Sequence, residues 1–447
     1  MQLPNLLKPG FFQQKYQWIV DPIGFMENAV QQYPDIFSTK LISPKKSLIF
    51  VHHPQGIQEI LTNDRKKFAT TSKINAVWEP LFGTHSVIML DGDRHRKRRQ
   101  LLMPCFHGER MRAYGQLICD ITDKIFSQLP TNKVFSAAEL MREISLQVIL
   151  QAIFGLYEGD RYEKIIHQLG LMLDLFHSPI TASFLLLPFL QKDLGYWSPW
   201  GKFLRYREEV DKLLYAEIAQ RRENLDPGRT DILSLLMSAQ DEEGNGMTDK
   251  ELRDELLTLL LAGHENTATV MSWAFYWSHY LPEVKEKLLQ ELHSLGSNPD
   301  PVSISKLPYL SAFCNETLRI YPVAMLNFSR EVQEPVELMG NKLYPGTEVV
   351  GCIYLLHQRE DLYPQPKEFK PERFLQRQFS PYEFLAFGGG TRRCVGDALA
   401  MFEIKLVLAT VLLNYHLTLA DNKPEIPQRR AVTLAPANGV RMILVDG

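Results

Sequence analysis

The chain has few cysteines, and they are scattered. Among 447 residues there are five: Cys105, Cys119, Cys314, Cys352 and Cys394. Their number is odd and none forms a CxxC pair. That excludes a disulfide framework and points to free thiols in a reducing, cytoplasmic setting. Long apolar runs are also absent. The greasiest stretch, FLLLPFL at 184–190, is far too short to span a bilayer and contains Pro188. The N-terminal MQLPNLLKPGFFQQKYQW has no signal-peptide layout, so no membrane anchor is expected. Neither sign of charge dominates. Forty-nine Lys and Arg against 52 Asp and Glu leave −3, which argues against a nucleic-acid partner. No linker, repeat or low-complexity tract divides the chain, since NLDPGRTD (224–231) and QDEEGNGMTD (240–249) are only loop-sized. Hydrophobic residues make up 45%, enough for a large core. A single large domain over 1–447 is expected, although the length alone would allow two or three.

The elements are ordered as a mainly α fold with a smaller β part. A β-rich part is expected at about 35–70, a helical body at about 90–320, and a second β-rich part with a cysteine loop at about 321–447. Residues 35–51 read as two strands around a Ser43-Pro44-Lys45-Lys46 turn. Thr248 and Glu251 form a capping-box pattern, and no proline follows until Pro282. About 32 helical residues at 1.5 Å each would span about 48 Å, enough to cross the molecule. Residues 298–310 read as a loop, and a helix follows around 306–320.

The densest chemistry lies in FGGGTRRCVG, Phe387 to Gly396. Gly388, Gly389 and Gly390 allow the backbone to bend and approach a flat ligand closely. After Gly396, DALAMFEIKLVLATVL reads as a helix, which places Cys394 at a helix N-terminus where a thiolate is favoured. An isolated cysteine usually packs as a small hydrophobe. Here Phe387, Gly390, Arg392, Cys394, Gly396 and Ala400 stand at fixed spacings around it.

That pattern resembles the haem-binding signature of the cytochrome P450 family, the haem-thiolate monooxygenases. The resemblance implies the P450 fold and haem b, iron protoporphyrin IX. It makes Cys394 the proximal iron ligand, Arg392 a partner of a haem propionate and Phe387 the ring that shields the thiolate. In DGDRHRKRR (91–99), His95 and Arg99 lie four apart on one helix face and match the positions that reach the propionates. Arg330 is a further propionate contact. Glu316, Arg319 and, in PERF, Arg373 match a structural trio behind the haem. Ala262-Gly263-His264-Glu265-Asn266-Thr267 matches the oxygen-side motif. Its acid and first threonine manage proton delivery in the family. Here Asn266 stands at the first threonine, an amide rather than a hydroxyl. Thr267 is the rival for that role, about 100° away around a regular helix.

The implied reaction inserts one oxygen atom of O2 into an apolar substrate, with electrons from NAD(P)H through a ferredoxin-type or flavodoxin-type donor. Arg96, Lys97, Arg98, Arg393 and Lys405 are candidates for docking that donor. No fused reductase is expected. Substrate-facing segments by family position are 70–83, 182–190, 323–326 and 433–438, mostly aliphatic and aromatic, as an apolar ligand requires. The whole is most similar to the fatty-acid and alkane hydroxylase branch, and a terpenoid suits the same side chains. Two alternatives stay open: a reductase-independent peroxygenase or rearranging enzyme, which often lacks the motif threonine, and a haem sensor.

Overall fold

The structure, a computed structural model, describes residues 4–70, 75–106, 108, 110–155, 159–175, 190–224, 226, 228–241, 243–430 and 433–446. The expected strand pair forms at Ile36–Thr39 and Leu48–Val51, antiparallel. Two later strands complete the sheet with it. Glu348–Gly351 runs parallel to Leu48–Val51, and Arg330–Val332 then joins Glu348–Gly351 to Phe68–Ala69. Residues about 300 apart are thereby locked in register, with Ile49 opposite Val349. This arrangement sets Arg330 in a sheet rather than in a loop.

The long helix is Asp249–Tyr280, 32 residues. Thr248 Oγ1 accepts from the Glu251 N–H at 3.3 Å, and Glu251 accepts from the Thr248 N–H at 2.9 Å. The helix stops at Leu281 because the following proline disfavours helical backbone before it. Its sides are buried nearly all round, by Ala137–Phe154, Pro199–Glu223 and Asp397–Asn414 among others. These helices share the largest apolar cluster, while two smaller clusters lie under the sheet.

Two readings need correction. The loop at 298–310 contains a short helix, Pro301–Ser305, capped by Asp300. The helical body also holds a strand, Val134–Ser136, which pairs with Arg441–Leu444 near the end of the chain. Its pairing partner lies some 300 residues away, beyond the reach of local pattern. Among the described residues no helix is long and apolar enough to cross a membrane.

Candidate haem site

The cysteine loop is held from behind. Arg319 makes a two-pronged pair with Glu316, at 2.6 and 2.8 Å, and Arg373 adds a third contact to Glu316 at 3.1 Å. All three side chains are buried. Arg319 also donates to the His357 carbonyl at 2.9 Å, and the His357 ring accepts from the Leu385 N–H at 2.9 Å. Burial pushes the His357 pKa down to about 3, so the ring stays a neutral acceptor. Leu385 lies two residues before Phe387, so the trio's geometry passes through His357 into the loop. Sequence reading missed His357, because nothing local marks a histidine whose partner is 28 residues on.

In the loop, Gly388 and Gly390 take φ of +67° and +64°. A Cβ on Gly390 would sit 3.1 Å from the Leu61 carbonyl oxygen, which adds crowding to a left-handed backbone. The Cys394 N–H donates to the Phe387 carbonyl at 2.9 Å and closes the loop. Cys394 is the only one of the five cysteines with an exposed side chain. Even so, burial is the first cause raising its thiol pKa. The Gly396 N–H, Arg99 and Arg393 pull the other way. In the free thiol, burial and the helix start act in opposite directions on the sulfur. The helix begins at Asp397, and the Gly396 N–H at its start reaches the sulfur and lowers the pKa against burial.

Cations gather on one side of this loop. Arg392 donates to the Leu90, Val87 and Ile88 carbonyls and to Thr70, and it pairs with Asp91 at 3.1 Å. Arg330, 1% exposed, pairs with Asp64 at 3.0 Å. Burial first, then Arg330, pulls the Arg392 pKa down to about 10 against the opposing pull of Asp91. His95 is buried, and burial followed by Arg392, Arg99 and Arg65 lowers its pKa to about 4. Arg99 makes no ion pair with a described acid and donates to the Arg393 carbonyl. Sequence reading missed Asp64 and Asp91. Asp64 lies 266 residues from its arginine, whereas Asp91 directly precedes the basic helix and was legible as its N-cap.

On the long helix, Ala262, Gly263, Glu265 and Asn266 are half-buried between fully buried runs. A Cβ on Gly263 would meet Ile149 Cδ1 at 2.9 Å, so a larger residue there would require the Ile149 side chain to shift. Asn266 Nδ2 donates back to the Ala262 carbonyl at 3.0 Å. Thr267 is buried on another face of the same unbroken helix. Of the substrate-facing segments, 323–326 and 433–438 meet through an Ala324–Thr433 bridge, and Asn75 donates to the Ser329 carbonyl at 3.1 Å. Residues 71–74 and 182–189 lie outside the described residues.

The docking candidates need a correction. Arg98 is buried and bound to Glu251 and Glu255 of the long helix at 2.5 and 2.8 Å. Lys405 donates inward to the Ser305 carbonyl at 2.6 Å and to Ser311 at 2.7 Å. Lys97 pairs with Glu243 at 2.5 Å. Arg96 and Arg393 remain exposed, each beside an acid three or four residues away. Charge runs are read along a helix, but a helix that packs on another turns some of those charges inward.

The donor set fits haem b. Among the described residues no three His, Cys, Asp or Glu side chains converge to hold a bare metal ion. A single open thiol therefore suits an iron whose other ligands come from a porphyrin. The cation surplus beside it suits the two propionates, and the glycine loop suits a flat face.

Comparison with known proteins agrees. The family model described as Cytochrome P450 matches residues 4–442. The Mycobacterium tuberculosis protein named cytochrome P450 135B1 is 34% identical over 421 residues, covering 94% of this chain and 86% of its own. Cytochrome P450 135A1 of the same species is 30% identical, covering 99% and 94%. Among solved structures, a retinoic acid-bound cyanobacterial CYP120A1 superposes with a TM-score of 0.85 at 22% identity, over 99% of both chains. A cytochrome P450DA heme domain gives 0.86 at 20% identity, over 100% and 98%.

Proposed function

The chain belongs to the cytochrome P450 family, and from that premise we propose that it hydroxylates a long-chain fatty acid or a terpenoid, with Cys394 as the iron ligand. The family places it among haem b monooxygenases, which act on apolar substrates and draw electrons from a redox partner. When bound, haem supplies the activation of O2, one atom of which enters a C–H or C=C bond while the other leaves as water.

The remaining assignments concern the chain's own side chains. Arg392, Arg330, Arg99 and neutral His95 would hold the propionates. Phe387 and the loop glycines, Gly390 among them, shape the proximal face. Glu265 carries protons inward from the solvent side. Asn266 positions the water that receives them, with Thr267 turned away. Asn266 must exchange its bond to the Ala262 carbonyl for that water, a one-step rotation of an amide. The mostly aliphatic and aromatic segments at 75–83, 323–326 and 433–438 support an apolar ligand. Free thiols support a cytoplasmic setting, and the donor is of ferredoxin or flavodoxin type. We read residues 1–447 as one domain.

The observation that carries the assignment is Cys394, the one exposed cysteine side chain, enclosed by the loop that Phe387 closes. The test is the optical spectrum of the reduced, CO-bound holoprotein. Cys394→His should abolish the long-wavelength thiolate band, whereas serine at Cys105, Cys119, Cys314 or Cys352 should leave it. A band that survives Cys394→His rules the ligand out. A panel of fatty acids and terpenoids, read by the optical shift on loss of iron-bound water, then sorts the substrate class. Turnover with peroxide but none with NAD(P)H and a donor would favour the reductase-independent reading, which Asn266 supports.

A further inference from the structure

A second charged site lies on the outside of the molecule. An open pocket of about 440 Å³ is formed where the start of the Ala137–Phe154 helix meets the turn at 437–439. Three arginines line it: Arg142 from the helix, Arg430 from the strand Pro427–Arg430, and Arg441 from the strand that begins there. None of the three makes an ion pair with a described residue. Burial lowers the Arg430 pKa, and repulsion from Arg142 is the next cause. Like charges within electrostatic reach, as Arg142 and Arg430 are, cost free energy that an anion would offset.

The local acids do not resolve the imbalance. Glu139 lines the same pocket but is exposed, a single carboxylate against three guanidinium groups. Glu425 is buried, and its oxygens accept from the N–H groups of Ile426, Asn438 and Val440 and from the Asn438 side chain, at 3.0–3.2 Å. Glu265 and Glu425 both lie within electrostatic reach of Arg430 and oppose burial and Arg142 there. The helix dipole adds positive potential at its start. Its first N–H groups are already taken, by the Val440 and Gly439 carbonyls at 3.0 Å and by Ser136 Oγ at 3.4 Å, so the donors left for a ligand are the guanidinium groups.

We propose that Arg142, Arg430 and Arg441 form a binding site for a phosphate dianion, free or carried on an organic molecule, distinct from the haem site. Guanidinium forks match phosphate oxygens two at a time, and a dianion turns the mutual repulsion of the arginines into attraction. The pocket volume leaves room for an organic body beyond the phosphate.

Inorganic phosphate is the probe, titrated by calorimetry into the holoprotein at constant ionic strength set with chloride. Saturable binding is expected, weakened at least tenfold in an Arg142→Gln/Arg441→Gln variant that keeps its reduced CO band. Phosphate that binds wild type and variant alike, or no saturable heat in the wild type, overturns the proposal. Glucose 6-phosphate binding more tightly than inorganic phosphate would identify the organic carrier as the source. Equal or weaker binding would identify the free ion. Because the CO band reports the thiolate site separately, a failure here is distinguishable from a failure of the haem assignment.

Discussion

Two arginine clusters flank the cysteine loop, and they are built differently. Behind it, Arg319 and Arg373 share the Glu316 carboxylate, and their other N–H groups reach the His357, Pro364, Gln365 and Glu368 carbonyls. Donors and acceptors close on one another with no ligand. In front, Arg330 and Arg392 have Asp64 and Asp91, but Arg99 makes no ion pair with a described acid, and Arg65 adds charge felt at His95. A cluster that is complete by itself serves the fold; one left with surplus charge awaits an anion. The family resemblance assigned the first cluster to structure and the second to the propionates, but not which acids pair with the second.

Removing the centre of the closed cluster should give the largest effect. Glu316→Gln leaves Arg319 and Arg373 buried without a counter-charge, which typically costs about 3–5 kcal/mol. Denaturant unfolding and the yield of haem-loaded protein measure it. A variant within about 1 kcal/mol of wild type would show that the cluster is not self-contained. In the open cluster the effect should move from folding to cofactor. Arg99→Gln should change stability by less than about 0.5 kcal/mol, as for a surface site. It should speed haem transfer to apomyoglobin about tenfold, the loss of one charge-assisted bond of about 1.5 kcal/mol. Unchanged haem loss would make Arg99 a bystander.

A pH-dependent effect tests a buried acid that pairs with no described arginine. Glu403, on the helix after the cysteine, is 3% exposed, and burial pushes its pKa up to about 8. Its Oε1 has no protein partner, and Ser145 is its one hydrogen-bonding neighbour. The folded protein keeps a proton that the unfolded chain releases near the usual 4.5. Stability should therefore fall as pH rises from 4.5 towards 8, by at most about 1.4 kcal/mol per unit. Glu403→Gln should flatten that slope, gaining on wild type at pH 8 relative to pH 5. Parallel pH profiles in the two proteins would place the proton elsewhere.

Much of this architecture was legible in local chemistry. A capping box and the next proline bounded the long helix at both ends. Glycines flanked a cysteine before an apolar helical run. Two short strands enclosed a proline turn. Each signal involves residues within a turn or two of one another, and such interactions are present in any fold the chain adopts. Family spacing added the site residues, and the fold brings His95, Arg99, Arg330 and Arg392 to one side of the Cys394 loop.

Pairing across the chain was not legible. Of the five basic residues proposed for docking, Arg98 and Lys405 face inward, because the helices that carry them pack against others. Asp64 became the partner of Arg330 only when Phe68–Ala69 and Arg330–Val332 joined one sheet. Sequence by itself determined the helices, the loop and the identity of the ligand candidates, since those depend on covalent neighbours. Tertiary structure alone decided which charges are satisfied and which are left over, since charge energy depends on distance and burial, and neither exists until remote segments meet.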